Sequence, residues 1–242
     1  MFAFFAPLRD NAGAGNYFLQ VAFSLLGHLR GGPAKAAVLA SAMTGMISGS
    51  SIANVVTTGT FTIPLMKRVG FTSEQAGAVE VASSVNGQIM PPVMGAAAFL
   101  MVEYVGISYL EVIKHAFLPA IISYIALFYI SHLEALKLGL KGMDDADVPH
   151  LKKTFLSGLH FLIPIFVLIF LLVYMRYTAG FSIFYATISL ILVNLINRVI
   201  KNSDFKIGLI EWWNQTIVGL QNVAIIMVGV GIAIANAGLI VG

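Results

Sequence analysis

Small polar residues interrupt a long apolar stretch within the sequence GMISGSSIANVVTTG, residues 45–59. The interruption, Ser48-Gly49-Ser50-Ser51, predicts that one helix ends near Ser48 with free carbonyl groups and that another begins near Ser51 with free amide groups. Carbonyl and hydroxyl oxygens suit a hard cation such as sodium, and free helix amides bind anionic groups. The spacing therefore predicts that a cation and an anionic substrate bind close together here.

A second interruption follows at GQIMPP, residues 87–92. Proline lacks a backbone donor and disfavours helix in the residue before it, so we expect the chain to unwind and to expose carbonyl groups of Gly87, Met90 and Pro92. Irregular backbone inside a membrane is tolerated only where protein buries it or where it lines a cavity. Two such breaks so close in sequence indicate the binding site of a transporter.

These patterns give two sets of candidate residues. The candidate sodium ligands are Ser48, Ser51, Asn54, Gly87, Met90 and Pro92, and the candidate substrate contacts are Ser50, Ser51, Asn54 and Gln88. The alternative is that the glycines and serines only let helices pack closely, as the four-residue spacing of Gly45 and Gly49 allows. Gln88 has an alternative too, since its side chain can cap an unwound turn instead of reaching a substrate.

Glu80 is the candidate for carrying a coupling proton, because a carboxyl group inside a membrane-embedded segment is a functional hypothesis by default. The simpler interpretation places Glu80 near the cytoplasmic surface. There it would extend to water or pair with Lys67 or Arg68.

The composition is that of a membrane protein. Hydrophobic residues make up 58% of the 242 residues and charged residues 10%, against about 25% charged in soluble domains. Several apolar stretches reach the length of about 20 residues that crosses a bilayer. Basic residues occur in short loops without a basic-aromatic patch, so no nucleic-acid partner is expected. The absence of cysteine excludes disulfides and thiolate chemistry.

The candidate residues are expected on four parts of an all-α integral membrane protein. These are 1–32, a truncated span and an amphipathic helix at 17–29; 33–108, half of a transport domain with a hairpin at 33–69 and a broken helix at 74–107; 109–203, scaffold helices with spans 109–136, 155–175 and 180–197; and 204–242, an amphipathic helix and a truncated span. Each hairpin arm is shorter than the hydrocarbon core, which predicts a re-entrant hairpin.

The distribution of basic residues gives the orientation. Loop 137–153 carries four lysines and segment 198–206 carries three basic residues, whereas the turn at 176–180 carries one. Both basic loops are therefore expected in the cytoplasm. The hairpin ends at Lys35 and Lys67 fall on the same side, so the hairpin enters from the cytoplasm.

A family resemblance rests on two long motifs, SGSSIANVVTTGTFTIPLMKRVGF and GQIMPPVMGAAAFLMVEYVGISYLEVIKHAFLPA. The chain resembles the large membrane subunit of tripartite ATP-independent periplasmic (TRAP) transporters over nearly its whole length, and most closely the TAXI branch, whose membrane subunits are often fused. The positions that match the family's first hairpin tip and broken helix are Ser48, Gly49, Ser50, Ser51, Asn54, Gly87, Met90 and Pro92.

The resemblance implies an elevator-type carrier in a bacterial or archaeal inner membrane. Its expected partners are a periplasmic TAXI-type substrate-binding protein, a small or fused membrane subunit, the lipid bilayer and an organic acid anion such as a dicarboxylate, a 2-oxo acid or a glutamate-like amino acid. No cofactor is expected beyond the coupling ion, sodium or a proton. A second hairpin is expected beyond residue 242 and further spans before residue 1, so we expect a fragment that does not transport alone.

Two rival classes remain. An ion channel is compatible with re-entrant loops, although rings of charge that select ions are missing from the sequence. An intramembrane serine hydrolase would use a serine of the GSSI stretch, but that chemistry requires a base within hydrogen-bond reach, and no histidine lies in the middle of a predicted span.

Overall fold

The computed structural model describes residues 12–144 and 147–201, together with positions 5, 8, 9, 210, 212–214, 216–221, 223, 224, 228, 231, 232 and 235. Every regular element within these residues is a helix. The helices fall into two compact units, one of residues 14–159 and one of residues 1–13 with 160–242.

The unit 14–159 begins with helix α1, Ala14–Leu26, which is packed on more sides than a surface helix. Its apolar residues Leu19, Ala22 and Phe23 form a cluster with Ala36 and Ala40 of the next helix. On the predicted amphipathic helix, whose polar residues recur every four positions, Ser24 is buried, while Asn16 and His28, at the same spacing, are exposed.

The predicted hairpin is present as helices α2, Gly32–Ser48, and α3, Ser51–Arg68. The arms are antiparallel, because Thr44 contacts Asn54 near the turn and Ser41 contacts Thr58 farther from it. With 17 and 18 residues, each arm is about 26 Å long, less than a hydrocarbon core of about 30 Å.

The predicted break in the following helix is also present. Helix α4, Ser73–Asn86, begins with a capping box between Thr72 and Gln75 and gives way to a short 3₁₀ turn, Gly87–Ile89. A cis peptide bond joins Pro91 to Pro92, and helix α5, Ala96–Val105, resumes the segment.

Helix α6, Tyr109–Lys137, closes this part of the unit. Its end packs with the hairpin arms and α4 in a cluster of Ala34, Ala37, Met66, Phe71, Ala76, Ala135 and Leu140. Helix α6 thus belongs to one compact unit with the hairpin. The sequence instead predicted it to lie among the scaffold helices of residues 109–203. Which helices form the transport and scaffold parts stays a prediction.

Two described helices, Tyr109–Lys137 and Ala179–Arg198, are long and apolar enough to cross a membrane, as the sequence predicts. Counting Leu151–Ser157 and Leu159–Tyr174 as one span gives three. The predicted span 155–175 is interrupted at Gly158, where helix α7, Leu151–Ser157, ends; there a Cβ atom would lie 2.1 Å from the Tyr17 ring.

The second unit contains helix α8, Leu162–Ile169, which continues as a π-helical turn, Phe170–Tyr174, and helix α9, Ala179–Lys201. Its buried residues include Ile165, Leu168, Leu172, Ile183 and Leu190. Most of the predicted amphipathic helix and final span, 204–242, and most of the predicted span before residue 13 lie outside the described residues.

Candidate functional site

The two backbone breaks lie against each other. A Cβ atom on Gly45 would lie 2.5 Å from the Cα atom of Gly87, so both positions require glycine for the backbones to approach this closely. The amide of Val93 donates to the carbonyl of Met46 at 3.1 Å, which joins the end of α2 to the unwound segment. Two glycines that are about 40 residues apart in the sequence are thus in direct backbone contact.

The turn between the hairpin arms has the caps expected of two helix ends. Gly49 ends α2 with φ 61° and its amide donates to the carbonyl of Gly45, while a Cβ atom there would lie 2.1 Å from the carbonyl oxygen of Met94. Ser50 caps α3, since its hydroxyl accepts from the amide of Ala53 at 3.3 Å. Ser48 and Ser50 are half-buried, so the tip is open to a ligand.

One pair of candidate side chains meets across the two breaks. The side-chain amide of Gln88 donates to the hydroxyl of Ser51 at 2.6 Å. Gln88 is exposed and Ser51 is half-buried. The sequence left two roles open for Gln88, and this contact shows that its side chain reaches the hairpin tip, while its own carbonyl accepts from the amide of Gly95 at 2.7 Å.

Asn54 lies about one turn below the tip and is buried. Its amide nitrogen donates to the carbonyl of Ser41 at 3.0 Å, and its oxygen accepts from the hydroxyl of Thr44. Both ends of the side chain therefore tie the two hairpin arms together. Its predicted roles in binding substrate and sodium stay predictions; its amide oxygen retains a second lone pair and its amide nitrogen a second hydrogen.

Two of the three predicted carbonyl ligands of the unwound segment, those of Gly87 and Pro92, have partners in the protein. The carbonyl of Gly87 accepts from the amide of Met90 at 3.2 Å, and the carbonyl of Pro92 accepts from the hydroxyl of Tyr109 at 3.1 Å. A carbonyl oxygen has two lone pairs, so each retains the capacity for one further contact. The predicted sodium ligation by Gly87, Met90 and Pro92 stays a prediction.

Glu80 lies in a second polar cluster, away from the tip. It is fully buried, and its carboxyl group contacts the hydroxyls of Thr58 and Thr62 on α3 and of Ser84 one turn along α4. The sequence interpretation that Glu80 extends to the surface or pairs with Lys67 or Arg68 is wrong. Helix pairing turns Glu80 towards α3, and the guanidinium of Arg68 instead pairs with Asp147 at 3.4 Å.

Hydroxyl groups make this cluster adaptable. A Thr or Ser hydroxyl can donate to a carboxylate or accept from a carboxylic acid, so turning the hydroxyl hydrogens accommodates either protonation state of Glu80. The Thr58 hydroxyl also lies 2.8 Å from the carbonyl of Asn54, which gives its hydrogen a second acceptor. Within the described residues, Glu80 forms no ion pair.

Sequence reasoning missed the hydroxyl residues that surround Glu80 and Asn54. A signal was present, because Asn54, Thr58 and Thr62 recur every four residues and therefore share one face of α3. A row of polar residues on one face of an otherwise apolar hairpin arm predicts a polar partner on the helix that covers it. The two tyrosines of α6 that contact the broken helix, Tyr109 and Tyr124, carry no such pattern.

Comparison with known families gives a match along the whole chain. The model of the family described as "Tripartite ATP-independent periplasmic transporter, DctM component" matches residues 1–242. The match includes both breaks, the hairpin and the helices of both compact units.

Individual relatives are more distant. The chain is 33% identical over 82 residues to the C4-dicarboxylate TRAP transporter large permease protein DctM of Rhodobacter capsulatus, covering 34% of this chain and 19% of that protein. It is 30% identical over 108 residues to the ectoine/5-hydroxyectoine TRAP transporter large permease protein UehC of Ruegeria pomeroyi, covering 45% of this chain and 25% of that protein.

A third relative, the uncharacterized protein YgiK of Salmonella typhimurium, is 25% identical over 162 residues, covering 67% of this chain and 37% of that protein. The chain thus spans much less than two thirds of the length of these relatives.

Proposed function

Because the chain belongs to the family of DctM components of TRAP transporters, we propose that it is part of the membrane permease of a binding-protein-dependent secondary transporter that imports organic acid anions. The family consists of transporter components, so the hydrolase alternative has no support from the relatives with a stated function.

The observation that carries the proposal is the contact between two broken helices. Gly45 and Gly87 allow the backbones to touch, and Gln88 links the unwound segment to Ser51 at the tip. Helices broken at membrane depth supply free amides and carbonyls where a transporter binds its cargo. This contact brings both kinds of group to one half-exposed location.

The proposed chemistry at the tip has two parts. The first amides of α3, beyond the one that Ser50 caps, hold a substrate carboxylate, with Ser50, Ser51 and Gln88 as side-chain contacts. The carbonyl end of α2 and the unwound segment hold a sodium ion, whose charge offsets that of the carboxylate. Binding of the cation orders the site for the anion.

The two sequence motifs, which resemble those of the TAXI branch, support a more specific proposal for the substrate class and the partners. We place the chain in the TAXI branch, with a periplasmic substrate-binding protein that delivers the acid and a small or fused membrane subunit. The protein is proposed to lie in the inner membrane with the hairpin entering from the cytoplasm. Transport by an elevator motion of the hairpin-containing part follows from the same proposal.

The coupling ion has two candidates that occupy different places. Sodium at the tip uses neutral oxygen ligands, as a hard cation prefers. A proton on Glu80 uses the buried hydroxyl cluster of Thr58, Thr62 and Ser84. We favour sodium, because the tip is accessible and the Glu80 cluster is sealed.

The test is uptake by the full-length parent protein with its binding protein in liposomes. Organic-acid uptake is followed under a sodium gradient alone and under a proton gradient alone for wild type, Ser51→Ala and Glu80→Gln. Sodium-driven uptake that falls in Ser51→Ala and persists in Glu80→Gln supports the tip. Proton-driven uptake that survives Ser51→Ala and fails in Glu80→Gln places the coupling ion at Glu80 instead.

The same experiment separates the transporter from the channel alternative. A carrier gives saturable uptake that accumulates the acid against its own gradient. Uptake that rises in proportion to substrate concentration and never exceeds equilibrium would indicate a channel.

A further inference from the structure

Helix α6 contacts the broken helix on both sides of its unwound segment. At the start of α6, the buried hydroxyl of Tyr109 donates to the carbonyl of Pro92 at 3.1 Å and also contacts the carbonyl of Val93. Four turns along α6, the buried hydroxyl of Tyr124 donates to the carbonyl of Ser83 at 2.9 Å. The two tyrosines therefore hold the segment before and after the break.

The Tyr109 contact addresses backbone groups that the break disturbs, whereas the Ser83 carbonyl that Tyr124 holds lies in the last turn of α4 and also accepts from the amide of Gly87. An unwound segment loses part of the helical hydrogen-bond ladder, so its carbonyls need other donors or are free to turn. The Tyr109 hydroxyl has one hydrogen, which it shares between the adjacent carbonyls of Pro92 and Val93. Helix α6 thus supplies the side-chain donor for these two carbonyls.

A third contact lies beside Tyr124. The side-chain amide of Asn86, the last residue of α4, donates to the hydroxyl of Ser123 at 2.6 Å. Gly87, which follows, is the residue that touches Gly45 of the hairpin. The Tyr124 hydroxyl lies 3.5 Å from the point that a Cβ atom on Gly87 would occupy, so α6 packs directly behind the point where the two breaks meet.

Tyrosine is suited to this role. Its ring is rigid, with two side-chain torsions, so a buried ring carries its hydroxyl to a fixed point at low entropic cost. Phe99 of α5 stacks on the Tyr109 ring with a centroid distance of 5.1 Å and further restricts it.

We propose that Tyr109 and Tyr124 are positioning residues: Tyr109 holds carbonyl groups of the unwound segment, and Tyr124 holds the last turn of α4 that leads into it, in the arrangement that the cation site at the tip requires. The inference rests on the proposed function for the cation but extends it to α6, which belongs neither to the hairpin nor to the broken helix. The competing explanation is that both tyrosines only pack α6 against its neighbours.

The first test is independent of transport. Hydrogen exchange is measured on the full-length permease in detergent for wild type, Tyr109→Phe, Tyr124→Phe and the control Tyr129→Phe, whose side chain is on the same helix and exposed. The phenylalanine keeps the ring and removes only the hydroxyl. We expect the amides of Val93 and Gly95 to exchange about fivefold faster in Tyr109→Phe, the factor for one lost hydrogen bond, and no change in Tyr129→Phe.

Unchanged exchange at residues 87–95 in both Tyr109→Phe and Tyr124→Phe overturns the proposal. If either variant fails to fold, Ser123→Ala serves as the milder change on the same side of the break, because it removes only the partner of Asn86. Its expected result is faster exchange at residues 87–90, and unchanged exchange there would count against the proposal.

The second test separates positioning from packing. In liposomes with the binding protein, we expect the half-saturating sodium concentration to rise about fivefold in Tyr109→Phe and Tyr124→Phe, with little change in the maximum rate per folded protein. A fall in melting temperature with an unchanged half-saturating concentration shows packing alone and overturns the proposal. Absence of sodium-driven uptake in wild type contradicts the proposed function instead, and the exchange test then decides on the tyrosines.

Discussion

Two polar clusters in the unit 14–159 contrast in how they are built. At the hairpin tip, Ser51 and Gln88 meet at a half-exposed point, and the surrounding polar groups are mostly backbone amides and carbonyls. About Glu80, the polar groups are side-chain hydroxyls, and the carboxyl group is fully buried between α3 and α4.

The contrast indicates which ligand or ion each cluster can bind and release. A ligand that binds and dissociates needs an accessible site. At the half-exposed tip, water can hydrogen-bond the backbone amides and carbonyls when the ligand leaves. A sealed cluster admits no ion without separating α3 from α4, but a proton can be stored by turning hydroxyl hydrogens. The tip therefore suits a sodium ion and a carboxylate, and the Glu80 cluster suits a proton or a purely structural role.

The largest expected effect is on the glycine contact on which the tip depends. In Gly87→Ala, the new Cβ atom would lie 2.8 Å from the Cα atom of Gly45, so α2 and the unwound segment must separate. We expect loss of uptake and a decrease of about 3 kcal/mol in stability, measured by thermal unfolding in detergent. Gly77→Ala on α4 is the control, because no atom lies within 4 Å of its new Cβ. Normal uptake by Gly87→Ala would show that the two breaks need not touch.

The next effect distinguishes the sealed cluster from the tip. Glu80→Ala removes a buried side chain and the shared partner of Thr58 and Thr62, so we expect a loss of about 2 kcal/mol in stability. Glu80→Gln keeps the shape and should cost less than about 1 kcal/mol. The exposed Glu103→Ala is the control. Equal stability of Glu80→Ala and wild type in thermal unfolding would mean that the cluster is not structural.

Ser51→Ala should give the opposite pattern at the tip. It removes one hydroxyl ligand at a half-exposed position, so we expect stability to change by less than about 0.5 kcal/mol and the half-saturating sodium concentration for uptake to rise about tenfold. The control is Thr60→Ala, an exposed position on the same helix. A large loss of stability without a change in sodium dependence would erase the contrast between the two clusters.

The smallest effect is expected for Gln88→Ala. Its side chain is exposed and makes one hydrogen bond to Ser51, so its removal should raise the half-saturating concentration of the acid about threefold and leave stability within about 0.5 kcal/mol. Ser51→Ala combined with Gln88→Ala tests whether they act together. Effects that simply multiply would show that the contact between them has no role in binding.

Much of the fold could be predicted, because local chemistry sets it. Ser50 and Gly49 cap two helices at the tip, and the two prolines end the helix at Asn86, so both breaks occur where the sequence predicts them. The spans 109–136 and 180–197 follow from apolar length alone. The interruption at Gly158 was missed, because glycine is compatible with a helix and the Tyr17 ring that packs there is distant in sequence.

The candidate site could be predicted in part. Ser51 and Gln88 were both selected, and the structure brings them into contact. Asn54 was selected for the tip, yet its amide joins the two hairpin arms, because this helical residue, four positions from the Ser50 cap, points towards the neighbouring arm. Position along the chain gives depth in the helix but not the direction of the side chain relative to other helices.

The sequence by itself determined that this is a helical membrane protein with two backbone breaks, since apolar length, proline and capping act over a few residues. Only the tertiary structure decided that Glu80 is buried beneath hydroxyls and that Tyr109 and Tyr124 hold the broken helix. The reason is physical: breaks are local properties of the backbone, whereas burial and hydrogen-bond partners depend on which helix faces meet, and that is set by packing among α2, α3, α4 and α6 together.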